Sequence, residues 1–198
     1  MAQRLLVEQI SEFYDDPLGH VLFSYPWGTG QLQGRDGPQE WQREMLTDIG
    51  EAVRKNGFDG IHAVEALRYS TASGHGIGKS AIVAWIIRCI MDTRPFAEGV
   101  VTANTGPQLQ TKTWAELAKW HHMGITKHWW EITSGKGSMS YYHKEHREQW
   151  RCDAQTSREE NSEAFAGLHS ANSTPFYIFD EASGIPDKIY EVREGGLT

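Results

Sequence analysis

The stretch Ser73-Gly74-His75-Gly76-Ile77-Gly78-Lys79-Ser80 decides our interpretation of the fold, because it matches most of a phosphate-binding loop. The usual motif is G-x-x-x-x-G-K-[ST] between a strand and a helix, and Ser73 stands here where its first glycine is expected. The remaining glycines still let the backbone turn tightly and direct its N–H groups at an anion. We expect Lys79 to contact the β- and γ-phosphates and the Ser80 hydroxyl to bind Mg²⁺, with the helix dipole adding positive potential.

The residues on either side of this loop have the character that the motif requires. Residues 66–72 (ALRYSTA) predict a strand that leads into the loop. Residues 81–87 (AIVAWII) are apolar on every side and predict a helix packed between other elements. The alternative is a glycine-rich turn before an ordinary core helix. We favour the phosphate-binding loop, because strand, turn, Gly-Lys-Ser and buried helix seldom occur together by chance.

A second stretch, residues 175–182 (PFYIFDEA), predicts a buried strand with two carboxylates at its end. Ligands of open α/β sheets bind at the carboxyl ends of strands. We therefore expect Asp180 to hold Mg²⁺ directly or through water, and Glu181 to act as the general base for the water that attacks the γ-phosphate. The alternative is a core strand followed by an acidic turn. The two motifs together predict ATP and Mg²⁺ as cofactors.

Strand and helix signals alternate between the two motifs. Residues 99–104 and 149–154 predict strands, and Thr105 with Pro107 predicts the start of a helix. This order predicts an α/β fold of the RecA-like P-loop kind, with a mostly parallel sheet and helices on both faces. We expect the strand that ends at Asp180 to lie beside the strand that enters the loop, since both must converge on one Mg²⁺.

We interpret the first 38 residues as an N-terminal strap. Residues 39–198 are predicted to form a partial P-loop ATPase domain. Within the strap, residues 1–14 predict an amphipathic helix, and residues 17–38, rich in Gly, Pro and aromatic side chains, predict an ordered loop laid over the domain. The apolar side of the first helix is predicted to comprise Leu5, Leu6, Ile10 and Phe13.

A helix is predicted to begin at Gly37-Pro38 and to end at Gly57. Its apolar face is predicted to comprise Trp41, Met45, Ile49 and Val53. Gln42 is a candidate for reading adenine, because its amide offers a donor and an acceptor side by side. A solvated helix glutamine is the alternative.

Composition limits the remaining classes of function. The formal net charge of -7 provides no general basic field for nucleic acid, so any DNA contact must be local. Residues 123–147 mix basic with aromatic side chains and are the candidate for such a contact, with packing of those aromatics on the domain as the favoured alternative. The two cysteines, Cys89 and Cys152, indicate a reducing compartment rather than a disulfide framework. We see no signal peptide and expect no membrane span.

Four stretches of the sequence together resemble the large terminase subunit of tailed bacteriophages. They are Trp41-Gln42 and residues 73–80, 100–104 and 176–181. That protein is the motor ATPase that packs viral DNA into the procapsid. The resemblance implies double-stranded viral DNA, the portal protein and the small terminase subunit as partners, and a ring-forming homo-oligomer in the full motor. It also implies the cytoplasm of the bacterial host, with transient docking on the procapsid portal and no membrane.

Two features depart from that family. Many terminases carry an arginine in the loop where His75 stands, and the coupling motif and nuclease domain expected after the Asp-Glu pair are not found by residue 198. We therefore expect only the N-terminal part of the ATPase domain.

Arg158 is our candidate for an arginine finger, and a solvated surface arginine beside Glu159 and Glu160 is the alternative. Two other functions stay open: a helicase-like P-loop ATPase, and a remnant that binds nucleotide, DNA or a phage partner without turnover.

Overall fold

In the part of the chain that the structure describes, a five-stranded mixed sheet with helices packed against it forms the framework. The structure is a computed structural model that describes residues 2–59, 62, 64–71, 78–103, 105–135, 138–156 and 173–180. The strand order is β2-β3-β4-β1-β5. In chain order the strands are β1 (Glu98–Ala103), β2 (Trp130–Gly135), β3 (Ser138–His143), β4 (Arg151–Thr156) and β5 (Pro175–Phe179).

The expectation of a mostly parallel sheet is wrong for half of the described pairings. β1 pairs in parallel with both β4 and β5, whereas β2–β3 and β3–β4 are antiparallel. The reason is the length of the connections: only two residues separate β2 from β3, and a link that short can join only antiparallel strands. The protein is thus an α/β fold in which β1 is the centre of the parallel part.

The predicted strand at residues 66–72 is also wrong where the structure describes it. Residues 64–71 form no strand, and Leu67 and Tyr69 are 40% and 44% exposed. Side chains this exposed do not suit a central strand, which is buried on both faces in α/β sheets. The described neighbour of β5 is therefore β1, not a strand that enters the candidate phosphate loop.

Helix α4 follows that loop and supplies much of the core. The predicted helix at residues 81–87 is confirmed as part of this α-helix, and the predicted strand at residues 99–104 is confirmed as β1. Ile82, Trp85 and Ile87 are almost fully buried.

Both cysteines are buried free thiols. The α-helices are α1 (Ala2–Ser11), α2 (Pro17–Ser24), α3 (Glu40–Asn56), α4 (Lys79–Thr93), α5 (Gly106–Gln108) and α6 (Ala115–Met123).

The N-terminal segment is more helical than the sequence predicts. Residues 17–24 form α2 rather than a loop, because the Asp16 carboxylate accepts a hydrogen bond from the Gly19 N–H at 2.9 Å and Pro17 suits the first turn. The predicted first helix is confirmed as α1, and its Ile10 is buried, but Leu5 is 55% exposed instead of lying on the apolar side.

Helix α3 is confirmed, and it ends at Gly57 in the left-handed conformation with φ of 76°. Its buried face, however, is rotated by about one residue from the predicted one. The reason lies at Gly50, where an added Cβ would come within 2.7 Å of the Asp15 carbonyl oxygen, so the helix approaches the strap closely on this side. The buried residues are Gln42, Leu46, Gly50 and Val53, whereas Trp41, Met45 and Ile49 are half-buried.

Residues 123–147, the candidate for a local DNA contact, include the β2–β3 hairpin. Its aromatic side chains confirm the packing alternative, since Trp130 and Tyr141 are fully buried and their rings stack with centroids 5.3 Å apart. Three basic side chains of this region are exposed, those of Lys127, Lys144 and Arg147. The acidic side chains of Glu145 and Glu148 are exposed beside them in the sequence.

Candidate functional site

Asp180 lies directly beyond the carboxyl end of β5, at the edge where ligands of parallel sheets bind. Its backbone N–H donates to the Thr102 carbonyl oxygen at 2.8 Å, which continues the pairing of β5 with β1 by one residue. Its half-buried carboxylate accepts a hydrogen bond from the Thr113 hydroxyl through Oδ2. Backbone and side chain are therefore both held in place.

Thr113 belongs to a π-helical turn, Leu109–Trp114, which we call the π segment. It continues from α5, where the Thr105 hydroxyl accepts a hydrogen bond from the Gln108 N–H. The Trp114 indole donates to the Thr133 carbonyl oxygen of β2 at 2.7 Å. The sequence predicts the start of this helix at Thr105 and Pro107 but assigns no role to Thr113. A π turn has no pattern of its own in the sequence, so the contact with Asp180 was missed.

Gly78, Lys79 and Ser80 open α4. Gly78 has φ of 93°, a conformation that favours glycine, and it precedes the first turn of a 15-residue helix. The Ala81 N–H donates to the Gly78 carbonyl oxygen at 3.2 Å within this turn, and the start of a helix is in general a favourable place for an anion. Lys79 and Ser80 are half-buried.

The direction of α4 brings its start toward the Asp180 edge. The Trp150 indole, just before β4, donates to the Met91 carbonyl oxygen at 3.1 Å, so α4 ends where β4 begins. Helix α4 also contacts the π segment, which follows the carboxyl end of β1. Gly78 to Ser80 therefore lie on the side of the sheet toward which β1 and β5 run. The joint binding of one Mg²⁺ by Ser80 and Asp180 stays a prediction.

Gln42 of α3 connects that helix to the candidate phosphate loop. Its side chain is 4% exposed, its Nε2 donates to the Gly78 carbonyl oxygen at 3.2 Å, and its Oε1 accepts from the Gln39 N–H at 2.9 Å. These contacts give Gln42 a role in holding Gly78 that sequence reasoning missed. Contact with adenine, which would use the remaining amide hydrogen and lone pair, stays a prediction.

The other predicted site residues lie outside the residues that the structure describes, and their roles stay predictions. They are Ser73, Gly74, His75, Gly76, Ile77, Arg158 and Glu181.

A buried polar cluster on the other half of α4 was also missed, and we call it the Asp92 cluster. The Asp92 carboxylate accepts hydrogen bonds from Trp130 Nε1 at 2.6 Å and from the Thr126 hydroxyl at 2.9 Å. It also lies 3.0 Å from His20 Nε2 and 3.4 Å from Arg88 NH2. The only sequence signal was an Arg-x-x-x-Asp pair in an otherwise apolar helix, which a surface pair would also give.

The charges in this cluster stabilise one another. Burial alone would raise the pKa of Asp92, but Arg88 and the hydrogen bonds from His20 and Thr126 lower it below its usual value. Burial, and then the Arg88 charge, lowers the pKa of His121 to about 4. Because this cluster lies at the Met91 end of α4, we assign it to stability rather than to the candidate site.

Comparison with known proteins identifies one distant relative. The chain is 32% identical over 143 residues to a protein described as "Probable terminase, large subunit" of Enterobacteria phage P7. The match covers 65% of this chain and 26% of that protein, so the chain spans about a quarter of its relative's length. No protein-family model and no solved structure matches the chain. The similarity supports a distant relationship to terminase large subunits.

Among the residues that the structure describes, none forms a helix both long and apolar enough to cross a bilayer.

Proposed function

We propose that this chain is the ATP-binding and ATP-hydrolysing motor domain of a phage terminase large subunit, which powers movement of viral DNA into the procapsid. One observation carries the proposal. Asp180 lies at the carboxyl end of a parallel strand, and Gly78-Lys79-Ser80, at the start of α4, lie on the same side of the sheet. The distant P7 relative supports the same class of protein.

The chemistry of the described side chains fits ATP with Mg²⁺. The Asp180 carboxylate and the Ser80 hydroxyl are hard oxygen ligands of the kind that Mg²⁺ prefers. The Lys79 ammonium and the first N–H groups of α4 suit the phosphates of a nucleotide. Bound Mg²⁺ would neutralise charge on the phosphates, and Gln42 would contact the adenine base.

Hydrolysis divides among three side chains in this proposal. Lys79 binds and orients the γ-phosphate. Glu181, the residue after Asp180, accepts a proton from the attacking water. Arg158 supplies positive charge to the nucleotide of a neighbouring subunit in a ring, because a permanently charged guanidinium stabilises the charge of the transition state.

The proposed partners follow from the same assignment. They are double-stranded viral DNA, the portal protein, the small terminase subunit and further copies of the chain in a ring. The proposed location is the cytoplasm of the bacterial host, with transient docking at the procapsid portal.

Titration of the chain with ATP and Mg²⁺ in a calorimeter tests this proposal. We expect Lys79→Ala to weaken binding by about tenfold or more, since a hydrogen bond to a charged group contributes roughly 1.5–3 kcal/mol. Lys55→Ala, which removes an exposed lysine in the last turn of α3, is the matched control and should bind like the unmodified chain. Equal binding by the Lys79 variant, or no binding by the unmodified chain, would refute the proposal.

Release of phosphate, measured with and without double-stranded DNA, separates an ATPase from a remnant that only binds nucleotide. We expect turnover that DNA stimulates. Nucleotide binding without any turnover would instead indicate a remnant that only binds.

A further inference from the structure

We propose that Thr113 is a positioning residue that orients the Asp180 carboxylate toward the metal ion. This inference rests on the proposed function, in which Asp180 binds Mg²⁺. It adds a residue that no sequence motif indicates, on an element that lies outside both ATP motifs.

The Thr113 hydroxyl donates its hydrogen bond to a side chain outside its own helical segment, which is unusual for a helical threonine. In helices such a hydroxyl commonly donates to the carbonyl oxygen four residues earlier, as Thr111 does to the Pro107 carbonyl oxygen at 2.6 Å. Thr113 instead donates to Asp180 Oδ2, sixty-seven residues away. The Thr113 side chain is 1% exposed, so water does not compete for this bond.

The π segment that carries Thr113 is fixed to the sheet on a second side. Besides the Trp114 contact with β2, the Gln110 side chain donates through Nε2 to the Ser134 carbonyl oxygen at 3.1 Å. Asp180 is fixed independently by its backbone bond to Thr102. Because both partners are anchored, their hydrogen bond sets the rotation of the carboxylate rather than following it.

This geometry gives the two carboxylate oxygens different tasks. Oδ2 accepts the hydrogen bond from the Thr113 hydroxyl, which leaves Oδ1 as the oxygen that would hold the metal ion. Side chains that orient a metal ligand in this way commonly change metal affinity by about 10–100-fold when they are removed.

The experiment measures Mn²⁺ binding to the whole chain by electron paramagnetic resonance, with Mn²⁺ in place of Mg²⁺ and ADP present. Thr113→Val removes the hydroxyl and keeps the shape of the side chain. We expect it to weaken Mn²⁺ binding about 10–100-fold, while ADP affinity in EDTA stays unchanged. Thr113→Ser should restore Mn²⁺ binding, and Thr111→Val on the same helical stretch is the matched control.

The outcomes separate this inference from the proposed function. If the unmodified chain binds no Mn²⁺–ADP, the proposed function fails, and this inference fails with it. If it binds and Thr113→Val binds equally well, only the inference is overturned. Equal losses in the Val and Ser variants would also overturn it, because the hydroxyl would then not be the cause. Should the Val variant not fold, Thr113→Ala is measured with the same expectations.

Discussion

The Asp92 cluster allows a quantitative test of the packing around α4 through the substitution Asp92→Asn. This change keeps the shape of the side chain and removes its negative charge. Arg88 and Asp92 have fully buried side chains, and the Arg88 guanidinium also donates to the Tyr141 hydroxyl at 2.9 Å. The variant would therefore leave a buried cation without its counter-charge.

The expected cost follows from that burial. Removing one partner of a buried ion pair costs about 3–5 kcal/mol, a large part of the roughly 5–15 kcal/mol that stabilises a typical domain. The chain provides a matched control in Glu8→Gln, which breaks another Arg–carboxylate pair with the same i,i+4 spacing. In that pair, Arg4 and Glu8 are 86% and 57% exposed, so we expect a loss of only about 0.3–0.5 kcal/mol.

Urea denaturation followed by tryptophan fluorescence measures both variants, with the free energy of unfolding taken from the midpoint and slope. A double variant, Arg88→Met with Asp92→Asn, should recover part of the loss, because it no longer buries an unpaired charge. A loss below about 1 kcal/mol for Asp92→Asn, or a loss equal to that of Glu8→Gln, would refute the reasoning.

Three further predictions concern a close contact, a titrating side chain and the catalytic proposal. Gly99→Ala should destabilise the fold by about 1–3 kcal/mol in the same assay, since the added Cβ would lie 2.1 Å from the Phe176 ring, and Phe176→Leu should relieve part of that cost. Stability should fall as pH drops from about 6.5 toward 4, because the unfolded chain protonates His121 more readily than the folded one; His121→Gln should flatten this slope in urea titrations at several pH values. Glu181→Gln should keep ATP affinity and lose phosphate release, and equal turnover in both forms would remove Glu181 from the mechanism.

Features set by local chemistry could be predicted from the sequence. The run of apolar residues at 81–87 predicts α4, and Pro175–Phe179 is confirmed as a strand that leads to Asp180. Thr105 and Pro107 predict the start of the helix after β1, where the structure shows the expected cap. In each case a continuous apolar run or one capping side chain is sufficient.

Features set by pairing between distant segments could not be predicted in this way. Residues 66–72 have the composition of a strand, yet a strand also needs partners, and the sheet pairs β5 with β1 instead. The Thr113–Asp180 bond depends on a π turn that leaves no periodic signal. The Asp92 carboxylate contacts three partners outside its own helix, His20, Thr126 and Trp130, and no spacing in the sequence relates them to Asp92.

The contact between His20 and Asp92 has a consequence for how the protein opens locally. Helix α2 cannot separate from α4 without removing a polar partner from a buried carboxylate, so its opening should cost about 1–3 kcal/mol for this contact alone. Opening of helix α1 should cost less free energy, because Leu5 and Val7 are already more than half exposed. Amide hydrogens in α2 should therefore exchange with solvent more slowly than those at the start of α1, so local opening should begin at the N-terminal helix.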